Sequence, residues 1–274
     1  MRTSSTNSRR KKPTTNPQKN ETERRHSGGS RGRISVVGIG PGAIEQMTLE
    51  ARQAVETADV VVGYKTYVKL VESIIKPGTE VFSGVMGKEV ERAEAAVTKA
   101  LENKRVAVIS SGDPGVYGMA GLVLEVADLK NAGIPIEVVP GVTAATAAAA
   151  RLGAPLVSDF AVISLSDLLT PWSLIEKRLH AAAEADFVIV FYNPQSVGRK
   201  EPLAKAHQIL LEYRKPDTPV GIVRQVGRKG EETTLTTLKE MLACEVDMAT
   251  TIIVGNSTTR VVGKRMVTPR GYDL

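Results

Sequence analysis

The 274-residue chain contains one cysteine, three histidines and few aromatic side chains. A single thiol, Cys244, cannot form an internal disulfide and is typical of a protein in a reducing compartment, so we expect a cytoplasmic protein. The histidines at positions 26, 180 and 207 lie far from the cysteine and from one another along the sequence. Metal sites built from imidazole and thiolate need such ligands close together, so we expect no metal bound by the protein.

Long apolar runs are also missing. The apolar segments have the length of β-strands and are flanked by charged residues, so the sequence predicts no membrane-spanning helix and no membrane partner. At this length the chain can form one large or two modest domains with substantial cores.

The positive charge is concentrated at one end of the chain. Residues 1–33 contain ten Lys or Arg and two Glu, whereas residues 34–274 contain 26 basic and 28 acidic residues, a net charge of −2. Residues 1–32 have almost no apolar side chains, so we expect a disordered basic tail. It has no apolar segment typical of a secretory signal, and an organelle presequence is the weaker alternative. Because the body has no basic excess, we expect no nucleic-acid partner.

Buried apolar runs alternate with helical patterns from residue 34 onward. Early strands are separated by segments such as residues 90–101, whose apolar positions recur with a period near 3.6. This alternation predicts an α/β fold with a parallel N-terminal sheet. After Gly153 and Pro155 the later connections are short, which predicts a mixed C-terminal sheet. We therefore expect two α/β domains, residues 33–153 and 154–274, with the active site in a cleft between them.

Residues 110–118 (SSGDPGVYG) combine a strand end, a glycine turn and an expected helix start. Asp113 is a good helix N-cap, and Pro114 would then occupy the favoured first helical position. Gly112 and Gly115 lack Cβ atoms, so the main chain of the turn can contact a ligand directly. Ligands bind at the carboxyl ends of strands in such sheets, and an ordinary tight turn is the alternative.

Familiar nucleotide and hydrolase motifs do not match. The turn at residues 38–42 (GIGPG) has its third glycine one residue too early for a dinucleotide site, and Asp59 precedes the second strand instead of following it. The sequence contains no P-loop. Ser110 and Ser111 are not part of a G-x-S-x-G elbow, and no histidine is placed as their partner.

Three motifs, in this order, resemble those of the tetrapyrrole methylases, a family of S-adenosylmethionine-dependent enzymes. They are residues 37–42 (VGIGPG), 111–115 (SGDPG) and 140–144 (PGVTA). The resemblance extends over essentially the whole chain from Arg33. Within the family, residues 159–172 (DFAVISLSDLLTPW), 191–196 (FYNPQS) and 269–272 (PRGY) resemble the branch that methylates C(17) of precorrin-3B, or its cobalt-containing counterpart, with ring contraction in cobalamin synthesis.

The resemblance implies a homodimer of two-domain chains with the methyl donor in the cleft. S-adenosylmethionine has no phosphates, so its site needs close main-chain approach and a few polar groups. By similarity, the expected donor-binding residues are Pro41, Gly112, Asp113, Val116, Thr143, Ala144, Asn193 and Thr250. The implied substrate is a tetrapyrrole with eight carboxylates, which calls for basic side chains. Candidates, each of which could be a plain surface charge, are Lys88, Arg92, Arg199, Arg224 and Arg228.

Ring contraction also requires proton transfer near the substrate. Asp167 and Glu89 are the catalytic candidates, with helix-entry capping as the alternative for Asp167. Three other functions remain open: methylation of another ring carbon, an RNA-modifying methylase of the same fold, and a non-enzymatic nucleic-acid-binding module. The basic tail favours RNA only superficially, since the body lacks RNA-module aromatic motifs.

Overall fold

Strands and helices alternate along most of the chain, as the apolar periodicity predicts. The structure, a computed structural model, describes residues 32–196 and 198–273. Its strands are β1 (Arg33–Gly38), β2 (Val60–Tyr64), β3 (Glu80–Gly84), β4 (Arg105–Ser110), β5 (Ile136–Val139), β6 (Gly153–Ala154), β7 (Phe160–Ser164), β8 (Val188–Tyr192), β9 (Pro219–Arg224), β10 (Glu232–Thr237), β11 (Thr250–Val254), β12 (Arg260–Val262) and β13 (Arg265–Val267). Its helices are α1 (Leu49–Glu56), α2 (Lys65–Val71), α3 (Glu89–Leu101), α4 (Ala120–Leu129), α5 (Ala144–Leu152), α6 (Trp172–Glu184) and α7 (Glu201–Tyr213).

The first sheet has the strand order β3-β2-β4-β1-β5, and all of its pairings are parallel. Successive side chains of a strand point to opposite faces. In β1, Ile34 and Val36 belong to the apolar cluster that includes α3 and α4, whereas Val37 packs with residues of α1 and α2. Both faces of the sheet are therefore covered by helices, which explains the continuous apolar runs of its strands.

The second sheet has the order β10-β9-β11-β8-β7 and is mixed. Only β7 and β8 pair in parallel, and the remaining neighbours are antiparallel. Ile189 and Phe191 face the cluster formed with α6 and α7, while Val188 and Val190 pack against α5. The predicted fold class, a parallel N-terminal sheet and a mixed C-terminal sheet, is confirmed.

Helix α5 packs on the second sheet although it lies in the first of the two expected domains. A Cβ at Gly221 of β9 would come within 2.2 Å of Leu152 Cδ1, so the missing side chain lets the helix approach the sheet. After α5, β6 joins β13 and β12 in a three-stranded sheet. The chain from Gly32 onward forms one compact unit, and the division into domains 33–153 and 154–274 stays a prediction.

One helix begins later than the sequence predicts. Residues 113–119 form a turn-rich loop and α4 starts only at Ala120, so Asp113 is not the N-cap of that helix. The reason is a competing arrangement, because the Asp113 carboxylate accepts hydrogen bonds from the nearby Gly115 and from the distant Gly141. An aspartate that binds main-chain N–H groups in a turn offers the chain an alternative to the helix.

The expected disordered tail, residues 1–32, lies outside the described residues except for Gly32. Among the helices that are described, none combines the length and the apolar character needed to cross a membrane.

Candidate functional site

Three glycine turns meet at the carboxyl ends of adjacent strands. Strands β4, β1 and β5 are neighbours in the sheet, so the turns that follow them lie side by side. Gly40 and Gly112 form an antiparallel bridge, with N–H to carbonyl distances of 3.1 Å and 2.7 Å. The motifs that are widely separated in sequence thus form one main-chain floor.

Glycine is required where these turns touch. A Cβ at Gly141 would lie 2.2 Å from the carbonyl oxygen of Gly112 and 2.6 Å from that of Gly38. Gly112 also has a φ of +67°, in the left-handed region that other residues rarely adopt. A side chain at Gly141 would therefore force the loops apart, and one at Gly112 would strain the main chain.

Asp113 fastens the second turn to the third. Its Oδ1 accepts a hydrogen bond from Gly115 N at 2.8 Å, and its Oδ2 accepts one from Gly141 N at 3.0 Å. Both carboxylate oxygens are thus engaged by main-chain donors. The residue therefore sets the spacing between two of the loops.

The glycine floor forms part of a cleft of about 590 Å³ whose other walls come from the second sheet and from the end of β2, α2 and α3. The cleft is large enough for a cofactor-sized molecule. All eight residues predicted to bind the donor line it: Pro41, Gly112, Asp113, Val116, Thr143, Ala144, Asn193 and Thr250. Strand order brings them together, and their role in binding stays a prediction.

Tyr192, at the end of β8, joins the second sheet to the start of α5. Its hydroxyl oxygen accepts a hydrogen bond from Ala145 N at 2.7 Å and is hydrogen-bonded to Thr143 Oγ1. Burial raises the pKa of Tyr192, although these hydrogen bonds oppose the shift. The hydroxyl therefore stays neutral and acts as a fixed polar group in the cleft wall.

Asn193 adopts a left-handed conformation, with a φ of 50°. Its Nδ2 donates to Ser164 Oγ at 3.0 Å, and its carbonyl oxygen accepts from Arg199 Nη2 at 2.9 Å. The Nη1 group of Arg199 donates to the carbonyl oxygen of Leu165 at 2.6 Å. Arg199 thereby connects the loops after β7 and β8, and it does not line the cleft.

Arg228 belongs to the loop after β9 and reaches into the cleft. Its Nε donates to Pro41 O at 2.9 Å, and its Nη2 donates to Ser111 Oγ at 2.8 Å. The guanidinium carbon lies 5.8 Å from the centre of the Tyr67 ring, within cation–π range. Among the described residues, Nη1 has no hydrogen-bond partner, so a carboxylate in the cleft could accept from it.

Arg92 and Glu89 of α3 also line the cleft. The side chain of Arg92 is buried, with Nη1 donating to Val85 O and Nη2 to Glu89 Oε1 at 2.8 Å. Burial acts to raise the pKa of Glu89, but the hydrogen bonds from Arg92 and from Gly87 N outweigh it and lower the pKa below its ordinary value. At neutral pH, Glu89 is therefore a carboxylate that can accept a proton but not donate one.

The remaining predicted residues lie outside the cleft. Lys88 forms an ion pair with the exposed Glu91. Arg224 is surrounded by three carboxylates, those of Glu232, Glu245 and Asp247. Asp167 is 4.0 Å from Arg199 Nε, in the loop after β7. Their substrate-binding and catalytic roles stay predictions.

Sequence reasoning missed the aromatic residues of the cleft. Tyr64, Tyr67, Tyr117 and Tyr192 all line it, and none was singled out as a site residue. Their position along the sequence could have identified them, because each lies at the end of a strand, within three residues after a strand, or in a glycine turn.

Within the described part of the chain, no three His, Cys, Asp or Glu side chains come together to hold a metal. The expectation of no protein-bound metal stays a prediction.

Comparison with known proteins finds close relatives. A family model described as Tetrapyrrole (Corrin/Porphyrin) Methylases matches residues 33–242. A "Probable cobalt-factor III C(17)-methyltransferase" of Salmonella typhimurium is 52% identical over 241 residues, covering 88% of this chain and 100% of that protein. A "Cobalt-factor III methyltransferase" of Priestia megaterium is 50% identical over 247 residues, covering 89% of this chain and 46% of that protein. The chain thus spans about half the length of the Priestia relative.

Two solved structures share the fold of this chain. The crystal structure of the methyltransferase CobJ superimposes with a TM-score of 0.82 at 37% identity, covering 87% of this chain and 100% of that one. The structure of the cobalt precorrin-4 methyltransferase CbiF gives a TM-score of 0.71 at 27% identity, covering 84% and 98% of the two chains.

Proposed function

Since the chain belongs to the tetrapyrrole (corrin/porphyrin) methylase family, we propose that it transfers a methyl group from S-adenosylmethionine to C(17) of cobalt-factor III, with contraction of the macrocycle. The observation that carries the proposal is the cleft, in which eight residues from separate motifs surround one volume. The Salmonella and Priestia relatives, which carry cobalt-factor III in their names, support this substrate. Precorrin-3B, the metal-free counterpart, is the alternative substrate.

The residues of the cleft fit the proposed donor. Of the glycine floor, Gly112 and the neighbouring Pro41 line the cleft, and Gly112 has no side chain to cover its main-chain groups. Thr143, Asp113 and Asn193 supply polar groups around it. When bound, the donor supplies an activated methyl group as the electrophile. The protein's own contribution is to align the accepting ring carbon with that group and to exclude water.

We propose that Arg228 and Arg92 bind carboxylates of the substrate within the cleft. Arg228 keeps Nη1 available among the described residues while its other nitrogens are fixed by Pro41 and Ser111. A guanidinium held in this way is preorganised for a carboxylate. Arg199, Arg224 and Lys88 would contact only the parts of a large macrocycle that extend beyond the cleft.

Glu89 is the proposed proton acceptor. It lines the cleft and its pKa is lowered, so it is ionised before substrate arrives. General-base catalysis requires a group within hydrogen-bond reach of the proton that it removes. Asp167 remains a second candidate from the neighbouring loop.

The decisive experiment is an anaerobic incubation of the protein with S-adenosylmethionine and either cobalt-factor III or precorrin-3B. We expect a methylated, ring-contracted product by mass and absorption spectroscopy, formed faster from the cobalt form. A 13C-labelled donor and NMR of the product identify the carbon that is methylated. Label at a carbon other than C(17) would favour a sister reaction. Donor binding without methylation of either macrocycle would contradict the proposal.

An RNA-modifying methylase is the rival favoured by one observation, the basic segment at residues 1–33. Removal of residues 1–32 separates the two functions. The shortened protein should keep its turnover if it is a tetrapyrrole enzyme. If it is an RNA enzyme that relies on these charges, its affinity for RNA and the salt dependence of RNA binding should both fall.

We further propose that the enzyme is a cytoplasmic homodimer. The edge strand β3 and the turn after it leave several apolar side chains exposed: Val81, Phe82, Val85 and Met86. Unpaired edge strands with apolar residues are natural association surfaces. Light scattering should give the mass of a dimer, and Val81→Lys with Phe82→Lys should give a monomer. Cell fractionation tests the location.

A further inference from the structure

Tyr117 has an unusual backbone conformation beside the cleft. Its φ of 53° lies in the left-handed region, which a bulky residue adopts rarely and at a cost in free energy. The loop is tightly packed here, since a Cβ at the following residue, Gly118, would lie 2.6 Å from Pro114 O. Contacts of the Tyr117 side chain must compensate for this strain.

The compensating contacts are made with the second sheet. The Tyr117 hydroxyl donates to Val162 O at 3.1 Å and accepts a hydrogen bond from Ser164 N at 3.2 Å. Both groups belong to β7, the edge strand of the second sheet. The hydroxyl thus takes the place of a neighbouring strand and connects the loop after β4 to the other sheet.

The side chain lies at the mouth of the cleft. Tyr117 lines the cleft and the residue is 58% exposed, so it contacts both the cleft and solvent. Its ring is tilted by 54° against that of Tyr192, with 5.8 Å between the ring centres. Tyr192 is itself fixed by Thr143 and Ala145. Tyr117 therefore rests on a rigid neighbour and is held on its outer side by two exposed hydrogen bonds.

From this arrangement we propose that Tyr117 is a positioning residue that closes the methyl-donor site, with its hydroxyl on β7 in the closed form and released when the donor enters or its product leaves. This inference rests on the proposed function, because it takes the cleft to be the donor site. Two neutral, solvent-accessible hydrogen bonds are weak enough to break at each turnover. They are strong enough to slow escape of the ligand.

The test compares the release of S-adenosylhomocysteine from the wild-type protein and from Tyr117→Phe. The variant keeps the ring and loses both bonds to β7, so we expect dissociation about five- to tenfold faster, with a higher KM for the donor and an undiminished kcat. Tyr213→Phe is the matched control, since its hydroxyl bonds His180 Nδ1 at 2.9 Å between α6 and α7. A merely structural role would lower the melting temperature and kcat instead.

A second measurement uses the wild-type protein alone. The Ser164 amide, which donates to Tyr117, should exchange its hydrogen at least about threefold more slowly with S-adenosylhomocysteine bound. A dissociation rate of Tyr117→Phe within twofold of wild type, or an unchanged Ser164 exchange rate, overturns the role of Tyr117. Failure of the wild-type protein to bind the ligand at all would instead count against the proposed function.

Discussion

Arg228 Nε donates a hydrogen bond to the carbonyl oxygen of Pro41 across 2.9 Å, although 187 positions separate the two residues. The contact joins the loop after β9 to the first glycine turn, and Arg228 Nη2 extends it to Ser111 in the second turn. One side chain from a loop of the second sheet thus connects two loops of the first sheet. The cleft wall at this point depends on a single guanidinium group.

Replacing Arg228 should impair the reaction strongly. We expect Arg228→Gln to lower kcat/KM for the tetrapyrrole about ten- to hundredfold, because a hydrogen bond to a charged group contributes about 1.5–3 kcal/mol. The kcat/KM of Arg228→Lys should lie between those of the wild type and of Arg228→Gln, because lysine keeps the positive charge but lacks the planar guanidinium group. Arg178→Gln, at an exposed position of α6, should have no effect. Steady-state kinetics measure all three, and a twofold effect of Arg228→Gln would contradict this role.

A methyl group at Gly141 should disrupt the glycine floor. In Gly141→Ala the new Cβ would overlap the carbonyl oxygens of Gly112 and Gly38. We expect a loss of about 1–3 kcal/mol in the free energy of unfolding and a clear loss of donor affinity by calorimetry. Gly121→Ala is the control, since nothing lies within 4 Å of its Cβ position in α4. That variant should be up to about 1 kcal/mol more stable, with unchanged affinity.

Asp59 should contribute to stability in a pH-dependent manner. Its carboxylate accepts hydrogen bonds from the guanidinium and the main-chain N–H of Arg105, which lower its pKa from 3.8 to about 2. Because the folded-state pKa is depressed, the contribution is present above pH 4 and disappears as the pH falls towards 2. The pair is partly exposed, so Asp59→Asn should cost only about 1 kcal/mol at neutral pH. Urea unfolding of the wild type and of Asp59→Asn at several pH values would measure this difference in the free energy of unfolding. A difference as large at about pH 2 as at neutral pH would exclude this explanation.

The two acid–base candidates should differ in importance. Glu89 lines the cleft as a carboxylate, whereas Asp167 lies outside it near Arg199. We expect Glu89→Gln to reduce ring contraction more than about tenfold and Asp167→Asn less than about threefold. Donor affinity is measured separately for both variants. Unchanged turnover in Glu89→Gln would remove its proton-accepting role, and a larger loss in Asp167→Asn would transfer that role to Asp167.

Two arginines four positions apart illustrate the limit of sequence reasoning. Arg224 and Arg228 were equal candidates for substrate contact, because each is basic and each could equally be a plain surface charge. Arg224 is the last residue of β9 and is surrounded by three carboxylates outside the cleft. Arg228 follows a turn with left-handed Gln225 and Gly227 that redirects the chain towards Pro41. The two arginines therefore differ in position because their side chains bind partners from different, distant segments of the chain.

The loop at residues 113–119 shows how a local signal can be outweighed. Asp113 followed by Pro114 has the pattern of a helix start, yet the Asp113 carboxylate binds Gly115 and Gly141 and the helix begins at Ala120. One of those partners, Gly141, lies 28 positions away. A local pattern contains no information about such a partner.

The sequence alone determined the alternation of strands and helices and the glycine positions at which the main chain carries no side chain. Apolar periodicity and the absence of a Cβ are local properties, so both can be read from the sequence. The sequence thereby predicted the fold class, whereas the eight donor-binding candidates, all of which line the cleft, were implied by the resemblance of its motifs to the tetrapyrrole methylases. Only the tertiary structure decided that β1 lies between β4 and β5 and that Tyr117, Tyr192 and Arg228 complete the cleft. Strand order and contacts between sheets depend on packing between segments far apart in the chain, where no local preference acts.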